Sequence, residues 1–440
     1  MLMAFSISNG VNILMMTNTY LPLVGGLERS IESFTKEYRK RGHRVVIVAP
    51  EYENTPKNES DVIRVPALKN FSGSQFSVKL PVDRLFSEPW GDFKPDIVHV
   101  HHPFLMGETA LRFAYAHKVP LVFTHHSLYE ENVGDSETIK KFVTELATGF
   151  ANCCDYVIAP SESVAEMLRA RGVKTKITVI STGLDLNQYK KPAGNFREQS
   201  KISKDAFVIG YVGRLSPEKN LPFLTQAVAS FLKKEKEAIF LVVGSGPSEE
   251  GILKHFKEQN LEDRLHLAGE MKGKKLIEAF QAIDVFAFSS HSETQGMVLS
   301  EAMAAGTPVV GVDAPGVRDI VRDKINGRLI ARDSVEEFSE ALSWVRERTP
   351  AERRKLIAEA KKTSKQFSIK RCASKALRLY ESLQLSKGFQ RKIEEKDWFP
   401  FMQRIDAEWQ LLCNFTKATI GALIPSDEKL PETVSSKDGQ

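Results

Sequence analysis

Two series of short apolar runs, each closing on a polar turn and each followed by an amphipathic stretch, fill most of this chain. The first series is VNILMMT (Val11–Thr17), RVVIVAP (Arg44–Pro50), DIVHVHH (Asp96–His102), PLVFTHH (Pro120–His126) and DYVIAPS (Asp155–Ser161). The second is AFVIGYVGR (Ala206–Arg214), AIFLVVGSGP (Ala238–Pro247), RLHLAGE (Arg264–Glu270), DVFAFSS (Asp284–Ser290) and PVVGVDAP (Pro308–Pro315). Continuous apolar runs separated by helical spacing mean parallel strands buried on both faces, with helices covering the sheet. GLERSIESFTKEYRKRG is the first such helix and stops at Gly42. Between the series lies KKPAGNFREQSKISKD, polar and strand-free, which reads as a linker. The pattern predicts an α/β chain of two doubly wound, Rossmann-like parallel-sheet domains facing across a cleft: 1–190, a linker at 191–205, and 206–385. From 386 to 440 the rhythm stops. That extension, with the aromatic stretches DWFPFM and EWQLLCNF, reads as partly helical and then disordered.

A length of 440 residues fits two domains of roughly 150–200 residues each. Apolar content of 42% and charged content of 27% are those of a globular chain. The net charge of +5 suits an acidic ligand or an anionic membrane surface, without choosing between them. Four cysteines with no C-x-x-C point to a reducing, cytoplasmic setting. The N-terminal residues have no basic n-region, and no run of about eighteen apolar residues suggests a membrane span.

In such sheets ligands bind beyond the carboxyl ends of the strands, and the chemistry-bearing residues cluster there. Gly25 and Gly26 follow the first strand and open its helix, where glycine permits close backbone approach to a phosphate and the helix start offers amides. Gly244 and Gly246 form a second pair, but Glu249 occupies the third position of G-x-G-x-x-G, which counts against a nicotinamide dehydrogenase. Both glycine pairs also suit plain tight turns. In GRLSPEKN, Arg214 offers a guanidinium fork and Lys219 a point charge, a combination that suits a diphosphate. ETQGMVLSE places Glu293 on a loop and Glu301 inside the next helix. The first amides of that helix, at Met297, Val298 and Leu299 after Gly296, are free to meet an anion. Glu301 could equally serve the helix itself, or accept two hydrogen bonds from a ribose diol. His99, His101, His102, His125 and His126 lie at strand ends. Their spacing raises a zinc site, but no cysteine or carboxylate pair completes one. No D-x-D occurs, which argues against a metal bridging a carboxylate pair to a diphosphate.

The run GRLSPEKN … VVGSGP … SSHSETQGMVLSEAMAAGTPVVG … NGRL, with TNTYLPLVGGLERS, DIVHVHHPFLMG, VFTHHSLYEE and DYVIAPSESVAEMLRARG ahead of it, resembles the retaining glycosyltransferases of family 4, which have the GT-B fold. The likeness spans roughly Asn12 to Leu383. It implies an acceptor-binding first domain and a nucleotide-sugar-binding second domain, with the last helix crossing back to the first. It also implies that Glu293 contacts the transferred hexose and Glu301 the ribose. Arg214 and Lys219 would neutralise the diphosphate, Gly25 and Gly26 would approach it from the other domain, and His126 would lie near the sugar. The α configuration would be retained without a metal or other cofactor.

The segments YLPLVGGLERS, HHPFLMG, THHSLYEE and ETQG look most like the branch that glucosylates diacylglycerol at membrane surfaces. That branch implies UDP-glucose as donor, a lipid acceptor, and peripheral contact with an anionic membrane on the cytoplasmic side, with no role for nucleic acid. It usually carries basic, aromatic helices in the first domain, whereas LKNFSGSQFSVKLPVDRLF (Leu68–Phe86) holds only a few lysines. Three readings stay open: transfer to a lipid, transfer from GDP-mannose or a UDP-sugar to a soluble or polysaccharide acceptor, and a non-catalytic nucleotide-sugar-binding protein. The intact set Arg214, Lys219, Glu293 and Glu301 weighs against the last.

Overall fold

The computed structural model describes residues 10–385 except 24, 53, 57–58, 66, 69–77, 80–91, 134–135 and 191–193. The 386–440 extension and most of Leu68–Phe86 therefore lie outside the described residues.

The first domain is built on a seven-stranded, all-parallel sheet. Its strands are β1 (Asn12–Met16), β2 (Arg44–Pro50), β3 (Val62–Val65), β6 (Ile97–Val100), β7 (Leu121–Thr124), β8 (Tyr156–Ala159) and β9 (Ile177–Val179). A two-stranded antiparallel pair, β4 (Ala67–Leu68) and β5 (Val78–Lys79), stands apart from it. Among the described residues, the α-helices of this half are α1 (Gly26–Lys40), α2 (Met106–His117), α3 (Glu137–Cys153) and α4 (Glu162–Ala170).

The second domain holds a six-stranded parallel sheet: β10 (Phe207–Val212), β11 (Ala238–Val243), β12 (Leu265–Leu267), β13 (Val285–Phe288), β14 (Val309–Val312) and β15 (Gly327–Ile330). Around it lie α5 (Phe196–Gln199), α6 (Leu221–Lys234), α7 (Glu249–Glu258), α8 (Gly273–Ala282), α9 (Met297–Ala305), α10 (Val335–Arg346) and α11 (Pro350–Ser364). A final helix, α12 (Ile369–Leu385), packs on the first domain: Cys372, Ala373, Ala376 and Tyr380 share a core with Ile31 and Tyr38 of α1.

The strand orders are β3-β2-β1-β6-β7-β8-β9 and β12-β11-β10-β13-β14-β15. Each order reverses beside the first strand of its sheet, between β1 and β6 and between β10 and β13. Successive crossover helices leave on opposite faces at that point, so a crevice opens beyond the strand ends. Both crevices face the same gap. The chain crosses between domains twice, side by side: Leu184 N donates to Phe367 O at 2.7 Å, and Ile369 N donates to Leu184 O at 2.8 Å.

Within the two parallel sheets, three strands are not expected from the sequence: β3, β9 and β15. All three close a sheet edge, and much of each is only half-buried. An edge strand is solvated along one side, so VIRV, ITV and GRLI lack the long apolar run that marks the central strands.

Candidate functional site

The strand ends of the second domain carry most of the candidate side chains. β10 runs out at Val212, and the following turn is fixed by Tyr211, whose hydroxyl donates to Arg214 O at 3.1 Å. The Arg214 side chain is exposed and makes no ion pair or hydrogen bond among the described residues. Lys219 closes a short 3-10 turn, Pro217–Lys219. Ser289, at the end of β13, holds that turn by donating to Lys219 O at 2.8 Å and Asn220 O at 3.1 Å. The ammonium of Lys219 meets Glu293 Oε1 at 2.8 Å, and each side chain is about one-fifth exposed (21% and 18%). One fixed charge pair therefore stands at the mouth of the β10/β13 crevice.

Gly244 and Gly246 do something the sequence does not reveal. A Cβ at Gly244 would come within 1.9 Å of Gly213 O, and one at Gly246 within 2.4 Å of Leu215 O. Both glycines let their loop close against the turn that carries Arg214, which gives each a packing reason for being glycine.

Gly296 is the N-cap of α9, in the left-handed region at φ 66° and ψ 48°. The expectation of three free amides needs one correction. Leu299 N donates to Gly296 O at 3.0 Å, because the left-handed cap turns that carbonyl back onto the first turn. The side chain of Leu299 is fully buried. The amides of Met297 and Val298 precede Leu299 N, the first donor of the helix, and so have no intrahelical partner.

Glu301 lies one turn further in, with its side chain 14% exposed. Burial raises its carboxyl above the usual range, opposed by the Arg29 guanidinium at 3.8 Å and by a hydrogen bond from Tyr189. Neither partner was singled out in the sequence. Arg29 comes from α1, one turn past the glycine pair, and Tyr189 from the segment leaving the first domain. An acid raised by burial is more stable protonated. Its contribution to folding is fullest below the carboxylate range and falls as pH rises through its raised value. Glu301→Gln should therefore raise Tm at neutral pH by about 1–3 °C while weakening donor binding. A melt and a nucleotide titration on the same preparation would check both.

On the first domain, Gly25 caps α1 and Gly26 begins it, both exposed, with nothing within 4 Å of a Cβ built on Gly26. His126 follows β7, and its Nε2 lies 2.9 Å from His101 Nδ1. The His101 ring lies tilted by 38° against that of His99, 4.3 Å between centroids. His99 contacts Thr124 Oγ1 through Nε2 at 2.7 Å and the Tyr380 hydroxyl through Nδ1 at 2.8 Å. His102 Nδ1 accepts from Asn18 N at 3.1 Å. His125, the neighbour most easily confused with His126, is 1% exposed and packs edge-on to Phe123 and Tyr129. Burial pushes all five rings down: His99 and His125 to about 3, His102 to about 4, and His101 and His126 well below 6.5. They are neutral rings at physiological pH. Among the described residues no group of three or more His, Cys, Asp or Glu is arranged to hold a metal ion. No helix among them is long and apolar enough to cross a membrane.

The two halves meet at the Glu293 loop. Thr294 Oγ1 donates to His126 O at 2.9 Å, which sets the carboxylate loop of one domain directly against the histidine of the other.

Two parallel-sheet, Rossmann-like domains joined by paired chain crossings are the GT-B architecture. The family models agree: Glycosyltransferase Family 4 matches residues 24–188 and Glycosyl transferases group 1 matches residues 193–363, and the chain belongs to these glycosyltransferases. It is 28% identical over 331 residues to the alpha-monoglucosyldiacylglycerol synthase of Streptococcus pneumoniae, covering 71% of this chain and 74% of that protein. It is also 28% identical over 337 residues to the GDP-mannose-dependent alpha-mannosyltransferase of Mycobacterium tuberculosis, covering 73% and 84%. Among solved structures, Anabaena HepE in complex with UDP-glucose superposes with a TM-score of 0.66 at 20% identity, over 84% of this chain and 99% of that one. The sucrose-phosphate synthase of Thermosynechococcus elongatus does so with 0.70 at 20% identity, over 86% and 100%. These two likenesses establish the fold.

Proposed function

We propose that this chain is a retaining hexosyltransferase that moves glucose from UDP-glucose to a lipid acceptor such as diacylglycerol, forming an α-glycosidic bond without a metal. The observation that carries the reading is the Lys219–Glu293 pair at the β10/β13 switch point, held across the cleft from His126. In this reading the nucleoside diphosphate lies along the second domain. Arg214, Lys219 and the amides of Met297 and Val298 take up the negative charge that grows as the diphosphate leaves. Glu301 accepts hydrogen bonds from the ribose diol, and Glu293 orients hexose hydroxyls. Neutral His126 offers a hydrogen bond to the sugar from the opposite wall. The acceptor hydroxyl attacks from the face that the diphosphate leaves, and the diphosphate oxygen takes up its proton.

The lipid acceptor and the glucosyl donor are supported by the diacylglycerol-directed relatives from Streptococcus pneumoniae and Acholeplasma laidlawii. The mannosyltransferase relative, equally identical to this chain, favours GDP-mannose as the second donor to test. In this reading the enzyme works in peripheral contact with the cytoplasmic face of a membrane, where a cytosolic nucleotide sugar and a lipid acceptor meet.

The test is a donor screen with labelled UDP-glucose, UDP-galactose and GDP-mannose against detergent-dispersed diacylglycerol, with and without excess EDTA. Label from UDP-glucose in the organic phase, undiminished by EDTA, is the expected result. Label only in a water-soluble product would overturn the lipid acceptor, and loss of transfer in EDTA restored by manganese would overturn the metal-free mechanism.

A further inference from the structure

We infer that Thr294 and Gln295 are positioning residues: they lock the Glu293 loop onto the first domain, and so set the distance between Glu293 and His126 across the bound sugar. This rests on the reading above, in which those two residues bracket the transferred hexose. Four hydrogen bonds carry it. Thr294 Oγ1 donates to His126 O at 2.9 Å, and Thr294 O accepts from Ser161 Oγ at 2.7 Å. Gln295 Oε1 accepts from Thr182 N at 2.6 Å, while Gln295 Nε2 donates to Thr182 O at 3.1 Å.

Every one of these bonds crosses between the domains, and every one engages a backbone group. Gln295 is 4% exposed, Ser161 4% and Thr182 6%, so water cannot replace the lost partner cheaply. The anchor points are themselves fixed. Ser161 Oγ also accepts from Val164 N at 3.3 Å, capping α4, and Thr182 Oγ1 donates to Ser30 Oγ in α1 at 3.3 Å. Thr182 lies two residues before Leu184, the point where the two interdomain crossings pair.

The side-chain types follow from the geometry. Position 294 needs a hydroxyl short enough to reach a carbonyl beside its own loop. Position 295 needs an acceptor and a donor on one planar group to serve both ends of a residue's backbone. Glutamate would lose the donor, and asparagine the reach. Each domain alone presents half of the reacting geometry, and a misplacement of about 1 Å between the halves is enough to cost about a hundredfold in rate.

The experiment uses the full chain and the variants Thr294→Val, Thr294→Ser and Gln295→Met. It reads kcat for hexose transfer, UDP affinity by calorimetry, and the radius of gyration in solution scattering. Thr294→Val and Gln295→Met should each lower kcat about ten- to a hundredfold, with UDP affinity within about threefold of wild type, because the nucleotide sits on the second domain. Thr294→Ser keeps the donor and should retain most of the wild-type kcat. The scattering radius should grow in Gln295→Met. Wild-type kcat in Thr294→Val and Gln295→Met, a parallel loss of UDP binding, or a serine variant as poor as valine would overturn the assignment. If the wild-type chain transfers no hexose, the proposed function fails by itself. The clasp is then judged by scattering, where an unchanged radius in Gln295→Met overturns it.

Discussion

Lys219→Met and Glu293→Gln should each lower the turnover of hexose transfer by a factor of about 10²–10³, while the fold survives. The size follows from the chemistry assigned to the pair. The ammonium is one of few fixed positive charges facing the departing diphosphate, and removing one preorganised donor to developing charge typically costs about 2.7–4 kcal/mol of transition-state stabilisation. Glu293 acts on the sugar and also holds the ammonium, at 2.8 Å, in the direction it needs. The two losses therefore overlap: the double variant should fall well short of the product of the single effects, as residues acting as one unit do. The stability cost should be modest, because both side chains keep roughly a fifth of their surface in water and the substitutes keep their volume. Saturating kinetics with a melt of each variant separates the two effects. Near-normal turnover in both would remove this pair from the chemistry.

The second large effect is acid instability of the first domain. His99, His101, His102, His125 and His126 are held neutral with pKa values far below 6.5 by burial of their rings, and for His101 and His126 also by neighbouring histidines. In the unfolded chain each titrates near 6.5. A depressed histidine pKa means that the unfolded state binds more protons below pH 6.5. The stability these residues allow is complete above that pH and is lost as pH falls from 6.5 towards 4 and 3. Each ring contributes up to about 1.4 kcal/mol per pH unit, and five together would rival a whole domain's stability of about 5–15 kcal/mol within one to two units. The melting transition should therefore move down steeply between pH 6.5 and about 5, before most carboxylates protonate. A Tm unchanged from pH 7 to pH 5 would mean that these rings are solvated or charged in the fold. The same depression keeps His126 out of proton transfer as a titrating acid near neutrality, so the transfer rate should show no inflection from it there.

The central strands were legible because burial on both faces leaves an uninterrupted apolar run, and the turns after them carry the site by the rule of doubly wound sheets. The edges β3, β9 and β15 were not, since half of each faces solvent and its residues read as loop. In the site, E-x7-E and GRLSPEKN announce residues that the fold gathers around one crevice. What the sequence hides is partnership at a distance. Thr294 meets a residue 168 positions away, Gln295 one 113 positions away, and Arg29 reaches Glu301 from another domain. No local pattern encodes such contacts. The capture of the Leu299 amide by Gly296 O was hidden for another reason: it depends on one left-handed cap, and glycine permits that conformation without requiring it.

The measurement that bears most directly on the central claim, a nucleotide-sugar site on the second domain's strand ends, is calorimetric titration of UDP-glucose and of GDP-mannose into the wild-type chain and into Arg214→Ala. It needs no acceptor. One donor should bind the wild type, and removing the Arg214 guanidinium should weaken it at least about tenfold, the worth of one charge-assisted contact to a phosphate. Binding of neither donor, or equal affinity in Arg214→Ala, would contradict it.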